Sequence, residues 1–251
     1  MDAAAYAGHC VRGPACAGAA RMRRYHVPMP WIDALLAATG LTLALVLRPW
    51  RAVPAGGLPW PWLAWCAAMP ALWAADRAST AALAPSLSGS CLLVLMAGWP
   101  LALLGLAPVA LLTVALAGLP VDQALHRLVW LGIVPATLAF VLGAAIRRWL
   151  PRQLFVYILG RAFLATGVAG SVSGGVAVAL DAAPIGSTPL DLMVARGLMA
   201  WGDAFLTGMF AAIFVAFRPH WLATYADRIY LPAAQTRGSA RQRTGDRGWR
   251  D

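Results

Sequence analysis

The chain has 251 residues, 61% of them hydrophobic and 12% charged, with a mean hydropathy of +0.68; a water-soluble domain of this size could not hide so much apolar surface, so this is the composition of an integral membrane protein. The net charge of +10 comes from 20 arginines against 10 aspartates, with neither Lys nor Glu, and the arginines lie between apolar runs and in the tail, as topology signals do, which argues against nucleic acid as a partner. Cys10, Cys16, Cys66 and Cys91 form no close pair, and Cys66 and Cys91 sit inside apolar runs, so neither a disulfide framework nor a zinc site is expected.

Residues 1–29 read as a polar N-terminal extension without the long hydrophobic core of a cleavable signal peptide, and Met22 and Met29 are alternative starts. The first apolar run, 31–47, is just long enough to cross a ~30 Å hydrocarbon layer and ends at Arg48-Pro49-Trp50-Arg51. A Pro/Gly-rich loop at 53–57 leads to a second run, 58–75, whose Trp60, Trp62, Trp65 and Trp73 are expected to anchor in the interfacial aromatic belts; Asp76 and Arg77 close it. Residues 81–118 are apolar for 38 positions, too long for one crossing, and Gly98-Trp99-Pro100 is the natural break between two segments joined by a tight turn.

A polar stretch at 122–127 precedes the fifth run, 128–146, which carries Pro135 as an expected kink and ends at Arg147, Arg148 and Arg152. The sixth run, 154–180, contains Arg161 and a small-residue face, Gly167, Gly170, Ser171, Gly174 and Gly175, which predicts close approach of two helix backbones. A loop at 181–191 leads to the seventh run, 197–218, which extends back toward Leu190 and closes at Arg218-Pro219. The predicted fold is all-α: a polytopic integral membrane bundle of about seven transmembrane helices over residues 30–232, followed by a disordered basic tail at 233–251 that an anionic lipid surface would attract. Arg placement predicts the N-terminus outside and the C-terminus inside, because that orientation puts Arg48, Arg51, Arg147, Arg148, Arg152, Arg218, Arg228 and the tail on the cytoplasmic side. Arg12, Arg21, Arg23 and Arg24 stand against it unless translation starts late.

One acidic residue, Asp203, sits near the middle of the seventh run. An ionised carboxylate at membrane depth costs at least ~2.5 kcal/mol, so it faces a protein interior or a watery cavity and has a partner. Asp203, Arg196 and Thr207 share one helical face, and Arg161 is the other cation at membrane depth, so the expected arrangement is an ion pair of Asp203 with Arg161 or Arg196, serving either helix register or a transport path. His9, His26, His126 and His220 show no metal-ligand spacing, and His126 and His220, beside Arg at membrane boundaries, are expected to be solvated or at headgroups. There is no nucleotide-binding G-x-x-x-x-G-K-[ST] loop, and no His lies within the apolar runs to serve a hydrolase, so no enzyme is expected.

The stretch Trp201-Gly202-Asp203-Ala204-Phe205-Leu206-Thr207-Gly208, followed by Phe217-Arg218-Pro219, resembles the Gly-Glu-Ala-x-x-Thr-Gly helix and Arg-Pro ending of energy-coupling factor transporter permeases of the cobalt/nickel type. Phe155-Val156-Tyr157-Ile158-Leu159-Gly160 and Met96-Ala97-Gly98-Trp99-Pro100-Leu101-Ala102-Leu103 are similar to a divergent branch of those proteins, and the resemblance runs over roughly residues 30–232. It implies a multi-pass protein of the cell's inner membrane that captures a divalent metal from outside, energised by a separate transmembrane coupling protein and paired cytoplasmic ATPases. Co2+ or Ni2+ would be cargo, and no cofactor is implied. The family's acidic residue corresponds to Asp203, one methylene shorter. Its metal site uses the N-terminal amine, a second-position His and an internal His. Here Met1 is followed by Asp2, Ser86 stands where the internal His is expected, and His26-Val27-Pro28 resembles the family's opening only if the preceding residues are removed. The alternative reading is a non-transport membrane scaffold in which Asp203 is structural.

Overall fold

Prolines and glycines punctuate the apolar runs, and some of the helix ends fall there, as at Pro30, Gly89, Gly98 and Gly118. The computed structural model describes residues 30–48, 60–75, 86–151, 153–180 and 188–225. The N-terminal extension with His26, the loop at 53–57, Arg51, Asp76, Arg77, Arg152, most of the loop at 181–191, Arg228 and the tail lie outside the described residues.

Among the described residues, seven helices follow in order: α1 Pro30–Val46, α2 Trp60–Trp73, α3 Ser90–Ala97, α4 Trp99–Ala117, α5 Val121–Trp149, α6 Val156–Leu180 and α7 Pro189–Phe217, with a 3-10 turn at Pro219–Trp221. No strand occurs among the described residues. Four of these helices, α4 to α7, are long and apolar enough to cross a membrane. The 81–118 run does break at Gly98, whose φ of 81° and ψ of 160° belong to a region open essentially to glycine. Its first half yields only the eight residues of α3, a rise of about 12 Å, preceded by non-helical backbone at 86–89.

Residues 122–127, the polar stretch before the fifth run, are helical and continuous with it: α5 passes through a π segment, Leu128–Ile133, before its α-helical remainder. Pro135 explains the π segment. Proline has no N–H for Leu131 O and its ring crowds that carbonyl, so the helix widens instead of breaking. The freed Leu131 O accepts a hydrogen bond from Ser88 Oγ at 2.6 Å.

The small-residue face of α6 lies against α7. A Cβ on Gly170 would come within 2.9 Å of the Ala200 Cβ, one on Gly167 within 3.1 Å of the Trp201 ring, and one on Gly174 within 3.1 Å of the Arg196 Cβ. Gly175 faces open space, so it is not part of this contact. The α7 face turned inward is small or polar (Ala200, Asp203, Ala204, Thr207, Gly208, Ala211), whereas Leu190, Val194, Leu198, Phe205 and Phe217 are exposed. Large apolar outside with small and polar inside is the pattern of a helix whose outer solvent is lipid.

α3 occupies the centre, with residues 90–96 all buried among α2, α4, α5, α6 and α7. A buried helix leaves orphan N–H groups at its start and orphan carbonyls at its end. The carbonyl end is closed by the chain just beyond α7: Ala223 and Thr224 donate N–H groups to Met96 O and Leu95 O at 3.1 and 3.3 Å, and Thr224 Oγ1 also donates to Leu95 O. That strap is held by buried Leu222 and by the Tyr157 hydroxyl, 2.9 Å from Thr224 Oγ1.

Candidate functional site

The start of α3 assembles the candidate site. Gly89, the N-cap residue, takes the left-handed conformation (φ 66°) that glycine adopts without steric cost. This turns its N–H toward α7, where it donates to both carboxylate oxygens of Asp203, at 3.1 and 3.3 Å. Asp203 is 6% exposed, and a carboxylate at a helix N-terminus is favoured by the helix dipole and its unpaired N–H groups. The next orphan, Ser90 N–H, donates to Ser88 Oγ at 3.2 Å; because the Ser88 hydroxyl proton goes to Leu131 O, the Ser90 hydroxyl is the donor in the 2.7 Å contact between the two serines.

Non-helical backbone inside a membrane bundle must have its carbonyls satisfied by protein. Two of the tryptophans do this. Trp65 Nε1 donates to Gly89 O and Trp73 Nε1 to Ser88 O, both at 2.9 Å. The expectation that all four α2 tryptophans serve as interfacial anchors is therefore corrected: Trp60, 82% exposed, suits that role, while Trp62 and Trp73 are buried and Trp65 is committed to the 86–89 turn. Arg127 Nη1 reaches across to Trp73 O and, at 3.4 Å, to Ser86 Oγ.

The expected ion pair of Asp203 with Arg161 or Arg196 is not what the structure shows. Seven residues separate Asp203 from Arg196, about 10 Å along the helix, and the Arg196 stem lies over Gly174. Arg161 packs its stem on Gly143 and its guanidinium over the Tyr157 ring, 5.9 Å from the centroid. Thr207 is buried on the same α7 face as Asp203, as the four-residue spacing requires. At the start of α3, Cys91 Sγ lies 3.7 Å from Pro135 O.

A second polar cluster went unread in the sequence. Asp33, in the first turn of α1 and 3% exposed, accepts from Trp130 Nε1 at 2.9 Å, and its other carboxylate oxygen lies 2.8 Å from His126 Nδ1. With the carboxylate ionised, the imidazole nitrogen is the donor. The assignment of His126 to a solvated or headgroup position is thus corrected: it is a helical residue of α5 tied to a buried acid. The signal was available, since Asp33 is an acid inside an apolar run just as Asp203 is. The same cluster is braced from α6, where Ser173 Oγ donates to Trp130 O at 2.7 Å.

Among the described residues no group of three or more His, Cys, Asp or Glu side chains converges on a point. Ser86, the position matched to the family's internal His, faces a guanidinium, which repels a divalent cation. Chemically, Asp203 is an acidic group with spare acceptor capacity: an ionised carboxylate offers about four lone-pair sites, and its two contacts share the single Gly89 N–H.

The class that this fold defines is a helical membrane protein. No protein-family model, no curated protein and no solved structure matches the chain.

Proposed function

We propose that the chain is the substrate-capture membrane subunit of an energy-coupling factor type transporter, a non-enzymatic, multi-pass protein of the cell's inner membrane. The observation that supports this reading most is the Asp203 centre. A helix of half a crossing's length ends inside the bundle, its N-terminus is met by a carboxylate with acceptor capacity to spare, and broken helices of this kind are where membrane transporters bind their substrates and ions. The resemblance of the Asp203 helix, and of its Arg218-Pro219 ending, to the permease family adds the transporter type.

Cobalt or nickel as cargo is the narrower form of the proposal. It draws on His26 and on residues outside the described set, because Ser86 beside Arg127 is unsuited to a divalent cation. Cellular cobalt and nickel uptake, measured with the chain, without it and with Asp203→Asn, is expected to fall in the last two cases. Equal uptake in all three rules out the metal form. A specific observation favours a second reading, a scaffold: Asp203 closes a helix end, a structural duty sufficient to explain a buried acid. Co-purification separates the two, since a capture subunit brings a coupling protein and ATPases with it and a scaffold of another kind does not.

Seven crossings, with the N-terminus outside, complete the proposal and require the 81–97 stretch to reach the far face through residues outside the described set. A cysteine placed at Gly186 is expected to react with an impermeant thiol reagent added to intact cells, and one placed in the tail is not. Labelling of the tail from outside would overturn the orientation.

A further inference from the structure

Arg161 stands apart from the Asp203 centre and from the proposed transport role. It is 9% exposed, and among the described residues no carboxylate or carbonyl accepts from its guanidinium; the ring of Tyr157 is its recorded partner. A guanidinium carries five N–H donors and no acceptor, and the fold leaves room for its stem. A Cβ at Gly143 would fall 3.1 Å from Arg161 Nε and 3.2 Å from its Cγ, so the stem crosses α5 where α5 has no side chain.

The guanidinium lines a cleft between the end of α5 and the start of α6, formed by Ile146, Arg147, Leu150, Val156, Tyr157 and Arg161, with about 240 Å³ of empty space when its open mouth is included. Among the described residues, two cations and no acidic residue line the cleft. The enclosed part admits about one water-sized group, which suits a single phosphoryl oxygen reaching in from the mouth. The surroundings tell a lipid phosphate from a free one. The mouth lies where α5 ends at Trp149 and α6 has begun at Phe155, both strongly exposed aromatic residues, as at a membrane interface, and the rest of the rim is Ile146, Leu150 and Val156.

We propose that Arg161 and Arg147 form a site for the phosphate of an anionic phospholipid, held at the end of the bundle where α5 meets α6. The Arg161 fork donates to the phosphate oxygens from below, Arg147 meets the same group from the exposed side, and the acyl chains lie along the apolar surface of the two helices. Basic pockets between membrane helices bind anionic headgroups by this combination.

The test is lipid binding to the full-length protein in neutral detergent, measured by native mass spectrometry, with phosphatidylglycerol, phosphatidylcholine and inorganic phosphate as separate probes. Phosphatidylglycerol is expected to bind about 10-fold more tightly than phosphatidylcholine, and Arg161→Gln and Arg147→Gln are each expected to weaken it by about 10-fold. Gly143→Val, which pushes the Arg161 stem aside without changing charge, is expected to weaken it too. Should Arg161→Gln fail to fold, the exposed Arg147→Gln decides alone. Equal affinity for the two lipids, or variants that bind phosphatidylglycerol as the wild type does, overturns the site. Displacement of phosphatidylglycerol by inorganic phosphate at comparable concentration assigns the site to the free ion and overturns the lipid. Failure of the wild type to bind any of the three overturns the proposal and leaves a partner protein's carboxylate as the acceptor.

Discussion

Replacing Asp203 with leucine will destabilise the protein by about 2 kcal/mol, whereas Asp203→Asn will cost less than about 1 kcal/mol. The difference follows from what the carboxylate touches. Its partner is the Gly89 N–H, and an asparagine side-chain carbonyl of nearly the same shape can accept that bond. Leucine cannot, and it leaves a buried N–H unsatisfied at the start of α3. Had the partner been Arg161 or Arg196, Asp203→Asn would strand a buried guanidinium and cost about 3–5 kcal/mol. Unfolding of the three purified proteins by graded denaturing detergent therefore discriminates: an asparagine variant as damaged as the leucine variant would show that charge, and not the N–H acceptor, is what α7 supplies.

Gly89→Val is expected to be the more severe change, at about 3 kcal/mol. Two costs combine. An L-residue in the left-handed region pays about 1–2 kcal/mol, more when β-branched, and Gly89 has a φ of 66°. In addition, a Cβ there would sit 3.3 Å from Trp65 Cζ2 and 3.4 Å from Leu72 Cδ1, against side chains fixed by their own packing, so the extra methyls of valine overpack the turn. Gly89→Ala should lose about half as much. The same unfolding assay measures both, and a valine variant as stable as wild type would contradict the left-handed N-cap. Because the turn carries the N–H that Asp203 accepts, Gly89→Val and Asp203→Leu are expected to be less than additive when combined.

Much of this architecture is legible in the residues themselves. Gly98-Trp99-Pro100 marks a break because glycine tolerates the angles there and proline suits the first turn of the helix that follows, and the run from Gly167 to Gly174 announces a close helix contact through the absence of side chains. Asp203 is conspicuous as a charge in an apolar stretch. Its partner could not be foreseen, because the partner is a backbone N–H and nearly every residue carries one. The arginines drew attention because they are the obvious counter-charges, but Arg196 lies about two turns along the same helix from the acid, and Arg161 packs on Gly143 and the Tyr157 ring instead. Asp33 and His126 are 93 positions apart, and nothing local in either segment points to the other. The tryptophans of α2 misled for a physical reason: an indole prefers an interface because it joins an apolar body to one N–H donor, and the free carbonyls at 88 and 89 offer that same combination inside the protein. The π segment of α5 belongs to this group as well. Pro135 signals a disturbance, but the residue that occupies the spare carbonyl, Ser88, lies 43 positions from Leu131.

The two ends of α3 are sealed by a single later piece of chain. Asp203 and Thr224 lie 114 and 129 positions beyond the residues they bond, Gly89 and Leu95. During synthesis, α3 therefore leaves the ribosome long before either seal exists, and four long helices are made before the residues that meet Gly89 N–H and Leu95 O are both present. Assembly of this bundle is consequently not a simple addition of helices in chain order. The centre of the molecule is made before the four long helices and closed only after them, its first end by the final helix and its second by the segment that follows.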